Sequence, residues 1–264
     1  MKILVCTAAL SVWSGSAAAG DPWAALVVSY SPGSGVGPGY DNPSSALGEP
    51  TRFTGVGAFP GAVTPFNPAY LGTEIVSIGP GGSLVIGFSQ PVTDDPANPY
   101  GIDLLCFGNS GYIDTNFPTG TAGGMFGAGG GLVEVSADGS AWFAANIGAD
   151  GRFPTLGYAD LTDPYALNPG GVPTDFTRPV NPAFNPMGLN FQQIAAAYAG
   201  SGGGAGIDLG TLGLSAVTYV RISNHSTSGV AVDIDGLSDV SPVPAPGAMV
   251  CLAGLAVLRR RRVR

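Results

Sequence analysis

Apolar residues along this chain come in short bursts rather than long stripes. AALVVSY (24–30), EIVSI (74–78), SLVIGF (83–88), GIDLLCF (101–107), LVEVSAD (132–138), AWFAANI (141–147), VTYVRIS (217–223) and VAVDIDG (230–236) are rich in β-branched or aromatic side chains and bounded by turn formers. Runs of this length between Gly, Pro, Asn and Asp are strand signals, and this many of them predict a sandwich or barrel. In VTYVRIS the alternation sets Val217, Tyr219, Arg221 and Ser223 on one face and Thr218, Val220 and Ile222 on the other. ADGS (137–140) lies between two such runs and predicts a hairpin, with Gly139 where positive φ is favoured. One segment has helical spacing instead: Asn190 can cap NFQQIAAAYAG, Phe191, Ile194, Ala195 and Tyr198 fall on one stripe, and Gly200 can stop it. Segments 31–73 and 148–189 show no sustained period and are expected as long Gly/Pro-rich loops over one end of a sandwich.

The two ends follow other rules. MKILVCTAALSVWSGSAAAG has one lysine, an apolar stretch from Ile3 to Trp13 and then small residues. This predicts a secretory signal peptide over 1–19, cut after Ala19, with Ala17, Ala19 and Gly20 at the cleavage site. The Sec translocon and signal peptidase are then the expected export partners. At the other end (241–264), a Pro-containing linker leads into the apolar run Gly247 to Leu258 and then into Arg259, Arg260, Arg261 and Arg262. Twelve helical residues span about 18 Å, against roughly 30 Å of hydrocarbon, so a transient membrane contact is expected rather than a permanent span. The arginines belong on the cytoplasmic side. The body expected between these ends is one domain, 20–240.

Charge is segregated. All 18 acidic residues lie between Asp21 and Asp239, where only Arg52, Arg152, Arg178 and Arg221 oppose them. Such a body repels phosphate backbones, so nucleic acid is not an expected partner. Gly 43 and Pro 23 are high, yet 45% of residues are hydrophobic and only 11% charged, a balance that favours a folded, turn-rich core over disorder. Cys6 and Cys251 fall in the end segments, leaving Cys106 in an apolar run as a buried small hydrophobe, with no internal disulfide possible.

Val243-Pro244-Ala245-Pro246, the short apolar run and the arginine cluster together resemble a PEP-CTERM sorting signal. The family has Glu where this chain has Ala245. The resemblance implies recognition and removal of the tail by an exosortase-like membrane enzyme. It also implies release of the body to the surface or extracellular matrix of a Gram-negative-type bacterium. A second resemblance is carried by LVEVSADGSAWF, VTYVRIS and VAVDIDGLSDV, a pattern similar to discoidin-like, galactose-binding-like jelly rolls. It implies an all-β, antiparallel, jelly-roll-like β-sandwich with one short helix. With NPYGIDLLCFGN, the stretch also looks like a group of secreted bacterial surface proteins.

Candidate chemistry is sparse. Asp233, Asp235 and Asp239 offer closely spaced oxygen ligands of the kind Ca²⁺ takes. The second resemblance implies a structural cation between an early loop and the last strand, and so adds Asp41. The alternative is that these carboxylates only solubilise the surface. Asp94-Asp95-Pro96 fits turn chemistry, and Asp103, on an apolar strand, needs a partner if buried. Arg221 is one candidate. His225 is the single histidine, no G-x-S-x-G elbow accompanies it, and a lone histidine without a cysteine pair excludes ordinary zinc constellations. No lysine follows Lys2, which removes P-loop and Schiff-base chemistry. The glycine strings lack dinucleotide-binding context, and Asn224-His225-Ser226 matches a sequon. Two functions are therefore expected in competition. One is a non-catalytic structural or surface-polysaccharide-binding protein, using Tyr112, Phe117, Phe126, Tyr158 and Tyr165 as loop aromatics. The other is a secreted carbohydrate-active hydrolase using paired carboxylates, for which Glu49, Glu74 and Glu134 are the glutamates available.

Overall fold

A computed structural model describes residues 21–227 and 229–240. The expected cleavage site at Ala17, Ala19 and Gly20 and the expected sorting tail with Val243, Pro244, Ala245, Pro246 and Arg259 to Arg262 lie outside the described residues. In chain order the strands are β1 (Ala24–Ser31), β2 (Phe53–Thr54), β3 (Gly61–Ala62), β4 (Val76–Ile78), β5 (Ser83–Thr93), β6 (Leu104–Gly108), β7 (Gly111–Asp114), β8 (Ala122–Phe126), β9 (Leu132–Ser136), β10 (Phe143–Gly148), β11 (Ala205–Ile207), β12 (Ala216–Ser223) and β13 (Val232–Asp239). The helix is α1 (Phe191–Tyr198).

Two antiparallel sheets make an all-β sandwich. One has the order β1-β5-β12-β9-β10 and the other β11-β6-β13-β4. Alternation explains how each faces the core: Leu84, Ile86 and Phe88 of β5 meet Val133 and Val135 of β9, Leu104 and Cys106 of β6, and Val232, Ile234 and Leu237 of β13 in one buried cluster. Cys106 is 1% exposed, and burial pushes its thiol well above the ordinary value. It packs as a small apolar residue. Among the described residues no helix is long and apolar enough to cross a membrane.

The alternation predicted for β12 breaks at one point. Pairing with β5 runs from Tyr219↔Gly87 directly to Val217↔Val92, so residues 88–91 of β5 oppose a single residue of β12. Pro91 lies in that bulge, where its missing N–H costs the ladder nothing. The offset turns Val217 inward, with Val220 and Ile222, and leaves Tyr219 and Arg221 on the other side.

The β9–β10 hairpin forms as predicted, with Gly139 at φ 76 and the amides of Ser140 and Ala141 capped by Asp138. Helix α1 also forms as predicted. Asn190 and Gln193 make a capping box, and Ala199, at φ 51, ends the helix one residue before Gly200.

The long loops do more than cover an end. Phe176, from segment 148–189, packs edge-on to Phe107 at 5.3 Å, so the outer face of β6 is buried by a loop. That is why GIDLLCF reads as a continuous apolar run rather than an alternating one. The same segment, α1, the β7–β8 hairpin and the connection after β3 share a second core of Phe66, Tyr112, Phe153, Leu156, Phe191, Ile194 and Tyr198. Arg52 fastens this layer: its guanidinium lies 4.0 Å over Phe176 and donates to the carbonyls of Gly157 and Thr174.

Candidate functional site

The best-organised exposed feature lies at the end of β7. The chain there must turn sharply, and Asp114 supplies the acceptors: its carboxylate takes the N–H groups of Asn116 (2.8 Å), Gly120 (3.0 Å) and Thr121 (2.8 Å). It also accepts the hydroxyl of Tyr165 at 3.1 Å. Desolvation pushes the Asp114 carboxyl up, but the hydrogen bonds from Thr121, Asn116, Gly120 and Tyr165 together outweigh it and hold the group below its ordinary value. Burial, then the bond to Asp114, pushes the Tyr165 phenol up to about 12. The phenol therefore stays a neutral donor at any physiological pH.

This pinning presents Phe117. The residue is 75% exposed, and its ring is tilted at 55° against Tyr165, with centroids 5.2 Å apart. Tyr165 also lines a groove of about 320 Å³ with Phe59, Asn67 and Leu167. Asn116, next to Phe117 in the chain, lines a polar cleft of about 660 Å³ with Thr119, Thr121, Asp163, Asn190 and Gln192. Apolar rings flanked by amides, hydroxyls and one carboxylate suit a ligand with a C–H face and a hydroxylated rim.

Of the other predicted loop aromatics, Phe126 is exposed and Tyr158 half-buried. Tyr112 is not a loop aromatic at all. It is 1% exposed in the second core, where its hydroxyl donates to the Arg152 carbonyl at 3.1 Å. Its strand alternates inward, a fact hidden by the glycines around β7 and β8.

The carboxylates expected to bind calcium separate into different environments. Asp235 is fully enclosed and accepts the backbone N–H (2.9 Å) and hydroxyl (2.8 Å) of Thr51; burial pushes it up to about 7 against those two bonds. Asp233 accepts the Ser77 hydroxyl and is likewise raised by burial. Asp239 is pushed up to about 6 by burial and then by the charge of Asp103. Asp41 is exposed, and its charge, like that of Asp233, reaches the Tyr30 hydroxyl. The early loop thus meets the last strand, as the calcium expectation required, and Thr51 is what joins them. No three of these four aspartates bring ligand oxygens within 4.8 Å of one another.

The remaining predicted residues are accounted for locally. Arg221 does not meet Asp103; it faces Glu134 across β12 and β9, with Nε 2.7 Å from Oε2. Register decided this, because Glu134 is the directly opposite residue. Glu49 pairs with Arg52, and Glu74 accepts the Thr54 hydroxyl and the amides of Gly55, Tyr70 and Leu71. A third cleft, an apolar groove of about 390 Å³ along Met125, Ile147, Phe153 and Val180, carries one carboxylate, Asp150; the polar cleft also carries one, Asp163. His225 is exposed in its loop, whereas Asn224 is buried with its amide donating to the carbonyls of Ile78 and Val230. That amide nitrogen is occupied, so the sequon match has no free acceptor.

Sequence reasoning singled out Phe117 and Tyr165 but not Asp114, which accepts amides up to seven residues away. Compared with protein-family models and with curated proteins, the chain gives no match.

Proposed function

We propose that this chain is an exported, non-catalytic β-sandwich of the bacterial cell surface or extracellular matrix that binds surface polysaccharide on the Phe117–Tyr165 edge. The observation that carries the reading is the combination of an aromatic residue 75% exposed with a loop held by hydrogen bonds to Asp114. An exposed aromatic on a loose loop loses entropy when it binds; one on a pinned loop has lost it already. Amides and hydroxyls of the adjoining cleft, beside the single carboxylate of Asp163, supply donors and acceptors for hydroxyl recognition. Paired carboxylates, the requirement of the rival hydrolase, are not found in any of the three clefts above.

Export and sorting belong to the same proposal. The basic, apolar and small residues of 1–19 support translocation and cleavage by signal peptidase. The 243–262 pattern supports processing by an exosortase-like enzyme. The test of binding is affinity electrophoresis of the full chain through gels containing bacterial exopolysaccharides, with Phe117→Ala alongside. Retardation lost in the variant supports the edge as the binding face; no retardation of the parent chain by any polysaccharide overturns it.

A further inference from the structure

A different corner of the molecule gathers negative charge. Asp103 immediately precedes β6 and is 0% exposed. Its Oδ1 accepts the Asp95 N–H (3.0 Å) and the Asn98 side-chain amide (2.9 Å), and its Oδ2 accepts the Leu209 N–H (2.9 Å). A carboxylate has about four lone-pair sites, so these donors leave one open. Asp94, just past the end of β5, and Asp208, just past β11, complete a trio with one oxygen from each residue within 4.8 Å of the others. Two oxygens on opposite sides of a Ca²⁺, each about 2.4 Å from it, are about 4.8 Å apart.

Among the described residues no basic side chain forms an ion pair with this trio. Arg52 and Arg221 are paired with Glu49 and Glu134, Arg152 donates to the carbonyls of Pro182 and Phe184, and Arg178 lies beside Gly200 past the end of α1. Lysine is absent from the described residues. Like charges at this separation disfavour the arrangement unless a cation joins it.

Asn98 gives a second, independent indication. It is 5% exposed, and its amide nitrogen is turned onto Asp103. Its carbonyl oxygen is buried without any hydrogen-bond partner. A buried acceptor left unsatisfied is costly, and an ion is one of the few things that explains it. An amide oxygen on the side chain that is hydrogen-bonded to Asp103 can join carboxylates in the mixture that a calcium shell uses.

We propose that Asp94, Asp103, Asp208 and Asn98 form a divalent-cation site that takes Ca²⁺. The ion clamps the end of β5, in the five-stranded sheet, to the start of β6 and the end of β11, in the four-stranded sheet. This site does not include the aspartates of the last strand, of which Asp239 alone feels the charge of Asp103, and it is independent of polysaccharide binding.

Isothermal titration of the full chain with CaCl₂ after chelation, together with thermal melts in calcium and in EDTA, tests it. Calcium at about 100 times its Kd is expected to raise Tm by about 5 to 10 °C. Asp94→Asn and Asp208→Asn, which leave the hydrogen bonds of Asp103 in place, are expected to weaken calcium binding at least tenfold. In EDTA both should melt at or above the parent chain, because each removes one repelling charge. Asp41→Asn should bind calcium like the parent. A titration without heat and a melt indifferent to calcium overturn the proposal. So does calcium binding that survives Asp94→Asn and Asp208→Asn.

Discussion

Thr51 gives both its backbone N–H and its hydroxyl to the carboxylate of Asp235, a residue 184 positions later in the chain. The contact joins an early loop to the outer side of the last strand, and it is made inside the protein rather than at its surface. Asp235 is 2% exposed and pushed up to about 7 by burial, so its carboxyl depends on these donors whenever it is charged. Thr51→Val keeps the shape and the N–H but removes the hydroxyl. Urea unfolding at pH 8 should show a loss of about 1–3 kcal/mol, the cost of leaving a buried acceptor short of a donor. An unchanged midpoint would mean that the strand is held without this bond.

Glu134 and Arg221 invite the opposite expectation. Their ion pair is partly solvent-exposed, with side-chain exposures of 16% and 31%, and the guanidinium also lies 4.3 Å over the Trp142 ring. Solvent screens such a pair, and stacking on Trp142 persists without the carboxylate. Glu134→Gln should therefore cost less than about 1 kcal/mol in the same urea assay. It should leave polysaccharide retardation unchanged; if retardation disappears, Glu134 belongs to the binding face.

Asp114 tests whether the Phe117 edge works by being rigid. Asp114→Ala leaves both aromatic rings in the chain but removes the acceptor for Asn116, Gly120, Thr121 and Tyr165. Amide exchange at Gly120 and Thr121 should accelerate, and polysaccharide affinity should fall about tenfold, or ~1.4 kcal/mol. Faster exchange with unchanged affinity would show that the loop's order does not matter to binding.

Eight of the thirteen strands among the described residues and the helix could be read from sequence because their signals are local: a burst of β-branched residues, an Asn190 cap, a Gly139 turn. The strands β2, β3, β7, β8 and β11, short and mostly glycine- or alanine-containing, gave no such burst. Readings failed where partners come from far along the chain. Val217 changed face because of a bulge at residues 88–91 of the neighbouring strand, and Arg221 met Glu134 because register put them opposite. Phe176 covers β6 from a segment whose glycines and prolines showed no period. The Asp94, Asp103 and Asp208 trio spans two connections far apart in the chain, β5–β6 and β11–β12, and Asp94 looked like ordinary turn chemistry. Asp233 and Asp235, by contrast, stood two apart in an obvious motif, yet Ser77 and Thr51 engage them separately. Closeness in sequence suggested a shared ligand that their different packing does not require.

Asp150 makes the sharpest pH prediction. It is 3% exposed, its Oδ2 accepts the Gly129 N–H at 2.7 Å, and its Oδ1 is buried without a partner. Burial pushes its carboxyl up to about 7, the Gly129 bond opposes this, and the charge of Asp233 adds to it. In the unfolded chain the same group titrates near 3.9. Between about pH 4 and pH 7 the folded state therefore holds a proton that the unfolded state has lost, and stability falls as pH rises across that window. Asp150→Asn supplies a permanently neutral side chain that can still accept from Gly129. The variant should match the parent at pH 4 and exceed it by about 1–3 kcal/mol at pH 8, measured by urea unfolding at both pH values. A variant less stable than the parent at pH 8 would reverse the sign: the ionised carboxylate would then be gaining something at Oδ1 that asparagine cannot supply, and a bound cation would be the chemical species to look for there.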